Sequence, residues 1–142
     1  MTELIINRIF DAPRELVYRA FADPDQLARW FGPVGWSVPR DSIDMDVRPG
    51  GHQRYTMVND AEPTQAVTIE ATYHEVVPHE LLDGYATAPD GTTMSLRLEF
   101  HDEGGKTRLV VRQGPFTDEV AEMTRQGWGS SFTKLDDCIA TH

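Results

Sequence analysis

Across residues 52–113 the chain alternates apolar and polar side chains in five successive runs, separated only by short stretches rich in Gly, Pro, Asn and Asp. A period of two places alternate side chains on opposite faces of a strand. Gln53, Tyr55 and Met57 share one face against His52, Arg54 and Thr56, and Val67, Ile69, Ala71, Tyr73 and Glu75 oppose Thr68, Glu70, Thr72 and His74. Residues 81–86 follow Pro78 at once, with Asp83 flanked in alternation by Leu81 and Tyr85. Met94, Leu96, Leu98 and Phe100 then alternate with Thr93, Ser95, Arg97 and Glu99, and Thr107, Leu109, Val111 and Gln113 with Arg108, Val110 and Arg112. The links, among them Arg48-Pro49-Gly50-Gly51, Ala88-Pro89-Asp90-Gly91 and Glu103-Gly104-Gly105, are too short for crossovers, so the strands must pair antiparallel. Gly114-Pro115 is expected to end the last strand. Half of each strand is apolar, and one face of the sheet therefore needs a cover.

The flanking segments supply it. Leu4, Ile5, Ile6, Ile9 and Phe10 form a β-prone stretch that stops at Asp11-Ala12-Pro13, a helix-entry signal. Leu16, Val17, Ala20 and Phe21 recur at helical spacing, which predicts a short helix. Asp23-Pro24 starts a second one, with Asp23 as N-cap, Pro24 in the first turn, and Leu27, Trp30 and Phe31 on its inner face; Gly32-Pro33 ends it. Residues 36–47 read as one strand interrupted by Pro39, in which Ile43, Met45 and Val47 alternate with Ser42, Asp44 and Asp46. From Thr117, Asp118 and Glu119 suit a helix N-terminus, and Val120, Met123, Gly127, Trp128, Ser131, Leu135 and Ile139 share one face to the end of the chain. The order is a strand, two short helices, six strands and a long helix. This is an α+β protein, read as one domain over residues 1–142, whose antiparallel sheet is covered by its C-terminal helix.

Several function classes are disfavoured. The formal charge is −10 and Lys occurs only at positions 106 and 134, whereas nucleic acid is held by clustered basic residues. No apolar run approaches the ~20 residues of a membrane span, and the N-terminal residues lack a basic stretch followed by a long apolar one. A cytoplasmic location is expected, in keeping with a lone cysteine, Cys138, that can form no disulfide within the chain. His52, His74, His79, His101 and His142 show no ligand-pair spacing, so no metal site is expected, and Asp41, Asp44 and Asp46 lack the glycine and distal Glu of a calcium loop. Gly50-Gly51 and Gly104-Gly105 stand outside any phosphate-loop context, and Gly127-Trp128-Gly129-Ser130-Ser131 is not a nucleophile elbow. No cofactor is expected.

The informative residues are aromatic and sulfur-bearing. Trp30, Trp36, Tyr55, Met57, Tyr73 and Tyr85, with Met94 and Trp128, come from different elements yet mostly occupy inward positions. They converge between sheet and helix. A strongly curved sheet would leave an apolar cavity there, with Leu96 and Leu98 on its floor; a flatter one would leave solid core. Gln53, Asp83 and Gln113 share faces with apolar residues, and a buried polar group without a partner costs about 1 to 3 kcal/mol, so these three are the expected polar anchors. Asp83 is also the one weak candidate for acid or base chemistry; the alternative is that Gly84 marks a bulge that turns it outward.

Four motifs stand in an order that carries a resemblance: residues 10–18 (Phe-Asp-Ala-Pro-Arg-Glu-Leu-Val-Tyr), Asp23-Pro24 through residues 27–33 (Leu-Ala-Arg-Trp-Phe-Gly-Pro), residues 46–51 (Asp-Val-Arg-Pro-Gly-Gly), and Gly127-Trp128. The chain resembles the activator of heat-shock-protein-90 ATPase homologue-like family of the START/SRPBCC superfamily. That resemblance implies a helix-grip fold, a curved seven-stranded antiparallel sheet wrapped around a long C-terminal helix, with a cavity used for small apolar or amphipathic molecules. Relatives often carry Trp where this chain has Gln53 and an aromatic where it has Asp83, which implies a ligand with a hydrogen-bonding group. The leading expectation is thus a ligand-binding domain of unknown ligand. A cyclase, aromatase or hydrolase acting in the same cavity is the alternative, as is a co-chaperone-like interaction module using the acidic strand faces. A homodimer is compatible with either.

Overall fold

The computed structural model describes residues 2–87 and 91–140. The turn expected at Ala88-Pro89-Asp90-Gly91 therefore lies outside the described residues except for Gly91, as does His142. In chain order the elements are β1 (Thr2–Phe10), α1 (Arg14–Ala22), α2 (Pro24–Trp30), β2 (Trp36–Ser37), β3 (Asp44–Met45), β4 (His52–Asn59), β5 (Ala66–Val77), β6 (Leu81–Thr87), β7 (Thr93–Glu103), β8 (Lys106–Phe116) and α3 (Asp118–Ala140). One antiparallel sheet runs β1-β8-β7-β6-β5-β4-β2, with β3 also on β4. The expected α+β helix-grip class, with two short helices and one long C-terminal helix, is what the chain adopts.

The sheet has eight strands rather than seven, because residues 36–47 do not form one strand. Pro39 brings no N–H to a ladder, and Arg40–Ser42 winds into a 3₁₀ turn in which the Ser42 N–H donates to Pro39 O at 3.0 Å. Only the ends still reach β4, Trp36 opposite Asn59 and Asp44 opposite Arg54. Strand β8 departs from expectation in the other direction. It runs on through Gly114-Pro115 to Phe116, because β1 is bulged between Thr2 and Leu4 and still follows it. A side chain at position 114 would sit 3.1 Å from Thr2 O, so the glycine lets β1 approach that closely.

The helices form where sequence places their ends. Asp23 caps α2 by accepting from the Asp25 N–H at 2.9 Å, with Pro24 in the first turn. Trp30 is fully buried behind α1: its indole donates to Ala20 O at 2.9 Å and its ring stacks edge-on with Phe21 and Phe31. The tightest part of the core lies under α3, where Phe10, Leu109, Val111, Phe132 and Leu135 are each at most 1% exposed. Among the described residues Thr107 and Ser131 are the buried polar ones, and the Thr107 hydroxyl donates to Ala12 O at 2.7 Å.

This packing is lopsided. Helix α3 lies on β1, β8 and α2, so it covers one half of the sheet's concave face. The other half, β4 to β6, is not closely packed by α3, and Phe21, Leu27 and Phe31 face it across a gap instead.

Candidate functional site

Over that uncovered half lies a pocket of about 290 Å³. Its sheet side is Tyr55, Ile69, Tyr73, Leu82, Leu96 and Leu98, and Phe21, Leu27, Phe31 and Trp128 close it from the helices. Five of these, Phe21, Leu27, Phe31, Ile69 and Leu82, were assigned no site role by sequence reasoning. Phe31 carried the only usable signal, an aromatic at the very end of a short helix, just before the Gly32-Pro33 break.

Of the residues expected to line a cavity, Gln53, Tyr55, Tyr73, Met94, Leu96 and Leu98 are on this lining, together with Gln113 and Trp128. Met57 is not; it borders an outer hollow of about 180 Å³ with Pro33, Thr124 and Gly127. Phe31, Tyr55, Gln113 and Trp128 line both spaces and so form the partition between the pocket and this outer hollow. Trp30 sits one layer back, 0% exposed among aromatic rings, and Trp36 pairs with β4 at the sheet's end and borders neither space.

Asp83 and Tyr85 border the pocket as well, but their side of β6 is not the inner one. Strand β5 is bulged between Tyr73 and Glu75, which ends its alternation: Tyr73 points to the core, His74 is the extra residue, and Val76 packs inward next. On β6 it is Leu82, 4% exposed, that joins the core. The Asp83 carboxylate instead accepts from Arg97 Nη1 at 3.2 Å, with His74 Nδ1 at 3.9 Å. Arg97 stands between Leu96 and Leu98, which face the pocket, so this pair is on the opposite, convex face. Asp83 is therefore not an unpaired carboxylate in an apolar wall.

The convex face carries a chain of such contacts. Arg97 Nε donates to Glu99 at 2.9 Å, and Glu99 also meets His101 Nε2 at 3.1 Å and Arg112 Nε at 3.4 Å. Burial pushes the Glu99 carboxyl up, but hydrogen bonds from Arg97 and His101 and the Arg112 charge outweigh it, and the net shift is downward. The Arg97 guanidinium is held charged chiefly by its hydrogen bond to Glu99.

Inside the pocket the electrostatics are those of neutral groups. None of the lining residues is Lys, Arg or His. Burial pushes the Tyr55 and Tyr73 hydroxyls well above the usual phenol range, and for Tyr73 the neighbouring Tyr18 and Tyr55 add to the effect. Both remain protonated at neutral pH, able to donate or accept a hydrogen bond but not to act as a base. The fixed polar contact is across the partition, where Trp128 Nε1 donates to Gln113 Oε1 at 2.9 Å. Among the described residues, no group of three or more His, Cys, Asp or Glu is placed to hold a metal ion.

Residues 11–140 match the family described as Activator of Hsp90 ATPase homolog 1-like protein, which is nearly the whole chain. The chain belongs to that family. Solved structures agree. A protein of Chromobacterium violaceum is similar at 26% identity and TM-score 0.84, over 95% of this chain and 94% of that one. The AHSA1 protein of Silicibacter pomeroyi is similar at 25% identity and TM-score 0.82, over 99% of each chain. A protein of Nitrosomonas europaea, at 22% identity and TM-score 0.83 over 98% of this chain and 94% of that one, shows the same fold. No curated protein matches. Among the described residues of this Activator of Hsp90 ATPase homolog 1-like chain, no helix is long and apolar enough to cross a membrane.

Proposed function

We propose that the protein binds a small apolar or amphipathic molecule in the pocket between β4–β6 and the helices, without catalysing its conversion. The observation that supports this is the pocket itself: about 290 Å³ of space walled by aliphatic and aromatic side chains from at least six elements, with a few polar groups among them. Binding sites for small molecules have this make-up, and their volumes start near ~300 Å³. A chain selected only for stability would fill such a space, since each unfilled methyl-sized void costs about 1 kcal/mol. Gln53, Tyr55, Tyr73 and Gln113 are the polar groups that would orient the bound molecule.

Catalysis has less support. Asp83 is tied to Arg97 on the far face, and the inner tyrosines are held protonated by burial. The test is to purify the protein without added ligand, extract it under denaturing conditions and identify co-purifying compounds by mass spectrometry. A compound bound at near-equal ratio and displaced by Leu96→Trp supports the reading. Binding that survives Leu96→Trp in a folded protein places the ligand elsewhere and defeats it.

A further inference from the structure

The donor from Trp128 does more than hold α3 against β8. An indole N–H can only donate, so the end of the Gln113 amide that meets it must be the carbonyl oxygen. The NH2 end, with two donors, is turned away from Trp128. Among the described residues no protein acceptor takes those donors, and no fully buried side-chain nitrogen or oxygen lacks a partner. The Gln113 nitrogen is therefore open, and the spaces beside Gln113 are the pocket and the outer hollow.

This gives the partition a fixed polarity. Gln53 and the two tyrosine hydroxyls can present either a donor or an acceptor, but the open nitrogen of Gln113 can only donate. The charge on the complementary group follows from the rest of the lining. It holds no cationic side chain, so a carboxylate drawn in from water would lose hydration without gaining a counter-charge. A neutral acceptor meets neither penalty.

We propose that Gln113, oriented by Trp128, is the specificity-determining residue of the pocket, and that it selects an uncharged apolar molecule bearing a carbonyl-type oxygen. This rests on the pocket being a ligand site. Four probes on one skeleton separate the possibilities: 2-acetylnaphthalene, 2-ethylnaphthalene, 2-naphthol and 2-naphthoate, each titrated calorimetrically into the full chain. The ketone should bind about tenfold more tightly than the ethyl compound or the carboxylate, the worth of one good hydrogen bond. Gln113→Leu should bring the ketone to the level of the ethyl compound, whose own affinity is retained. Gln113→Glu still accepts from Trp128 but replaces the open donors with an acceptor, so the preference should pass to the naphthol. Trp128→Phe keeps a ring and frees the amide to rotate, so the advantage of ketone over naphthol should shrink. Tightest binding by naphthol or naphthoate in the unaltered chain, or a ketone preference that survives Gln113→Leu, overturns the proposal. Equal binding of all four overturns the polarity and leaves the ligand site standing; binding by none overturns both.

Discussion

At the scale of single residues, backbone proximity decides more than side-chain chemistry. Gly84 sits opposite the β5 bulge, and a β-carbon there would lie 2.4 Å from Thr72 O, a backbone atom that cannot swing aside. Gly84→Ala should therefore destabilise the protein by about 1 to 3 kcal/mol, seen as a lower midpoint in urea with unchanged slope. A midpoint equal to that of the unaltered chain would show that β5 gives way freely. Glu99 makes a different demand, on pH. Its carboxyl lies below the ordinary value in the folded protein, despite burial, because Arg97, His101 and Arg112 favour the charged form. Its contribution is thus fully present above the unfolded value near 4.5 and is lost as pH falls through the lower folded value. Glu99→Gln should flatten the acid limb of a stability-against-pH curve; an unchanged limb in the variant would remove Glu99 from the account. Neither role was visible in sequence. Gly84 marked a bulge as one alternative, but the bulge is on the neighbouring strand, and strand-to-strand register is not a property of either strand alone.

At the scale of elements, α3 is both a cover and an anchor. Its Lys134 donates to Gly32 O at 3.1 Å and Trp36 O at 3.0 Å, and its Ser130 hydroxyl accepts from the Val34 N–H at 2.8 Å, so the segment between α2 and β2 is strapped to the helix beside the outer hollow. Burial pulls the Lys134 ammonium below its usual value, and Asp60 opposes this. Lys134→Met should cost about 1 kcal/mol in global stability and raise amide hydrogen exchange across residues 32–36 above that of the core strands. Exchange that rises evenly over the whole chain would argue against a local strap. Trp128, 9% exposed, packs its ring on Phe132 and Phe31 as well as bonding to Gln113. Trp128→Ala should cost about 3 to 5 kcal/mol, and a melting temperature within a degree or two of the unaltered chain would place the ring in solvent instead. The helix and its buried face from Trp128 to Leu135 were legible from spacing. Val120 and Met123 share that spacing but are 44% and 64% exposed, because the buried stripe passes through Ala121, 7% exposed, and leaves these two on either side of it.

At the scale of the whole molecule, the pocket exists because eight strands curve further than one helix can cover. Ala71 lies on the lining, two residues before Tyr73 on the inner face of β5. Ala71→Leu should fill part of the pocket, leave the melting temperature equal or higher, and weaken calorimetric binding of 2-acetylnaphthalene at least tenfold. A variant that binds as before would show that the ligand does not occupy this space. The division between what was legible and what was not follows the range of the forces involved. Alternation, helical spacing, Asp23-Pro24 and the turn glycines are local, and they determined the α+β class, the order of elements and the inward faces of Tyr55, Tyr73, Leu96, Leu98 and Gln113. Which half of the sheet stays uncovered, which face Asp83 takes after the β5 bulge, and which end of the Gln113 amide is open depend on atoms distant in sequence that meet only when the chain closes. Side-chain periodicity encodes a face but not what packs against it, so only the tertiary structure could decide these three.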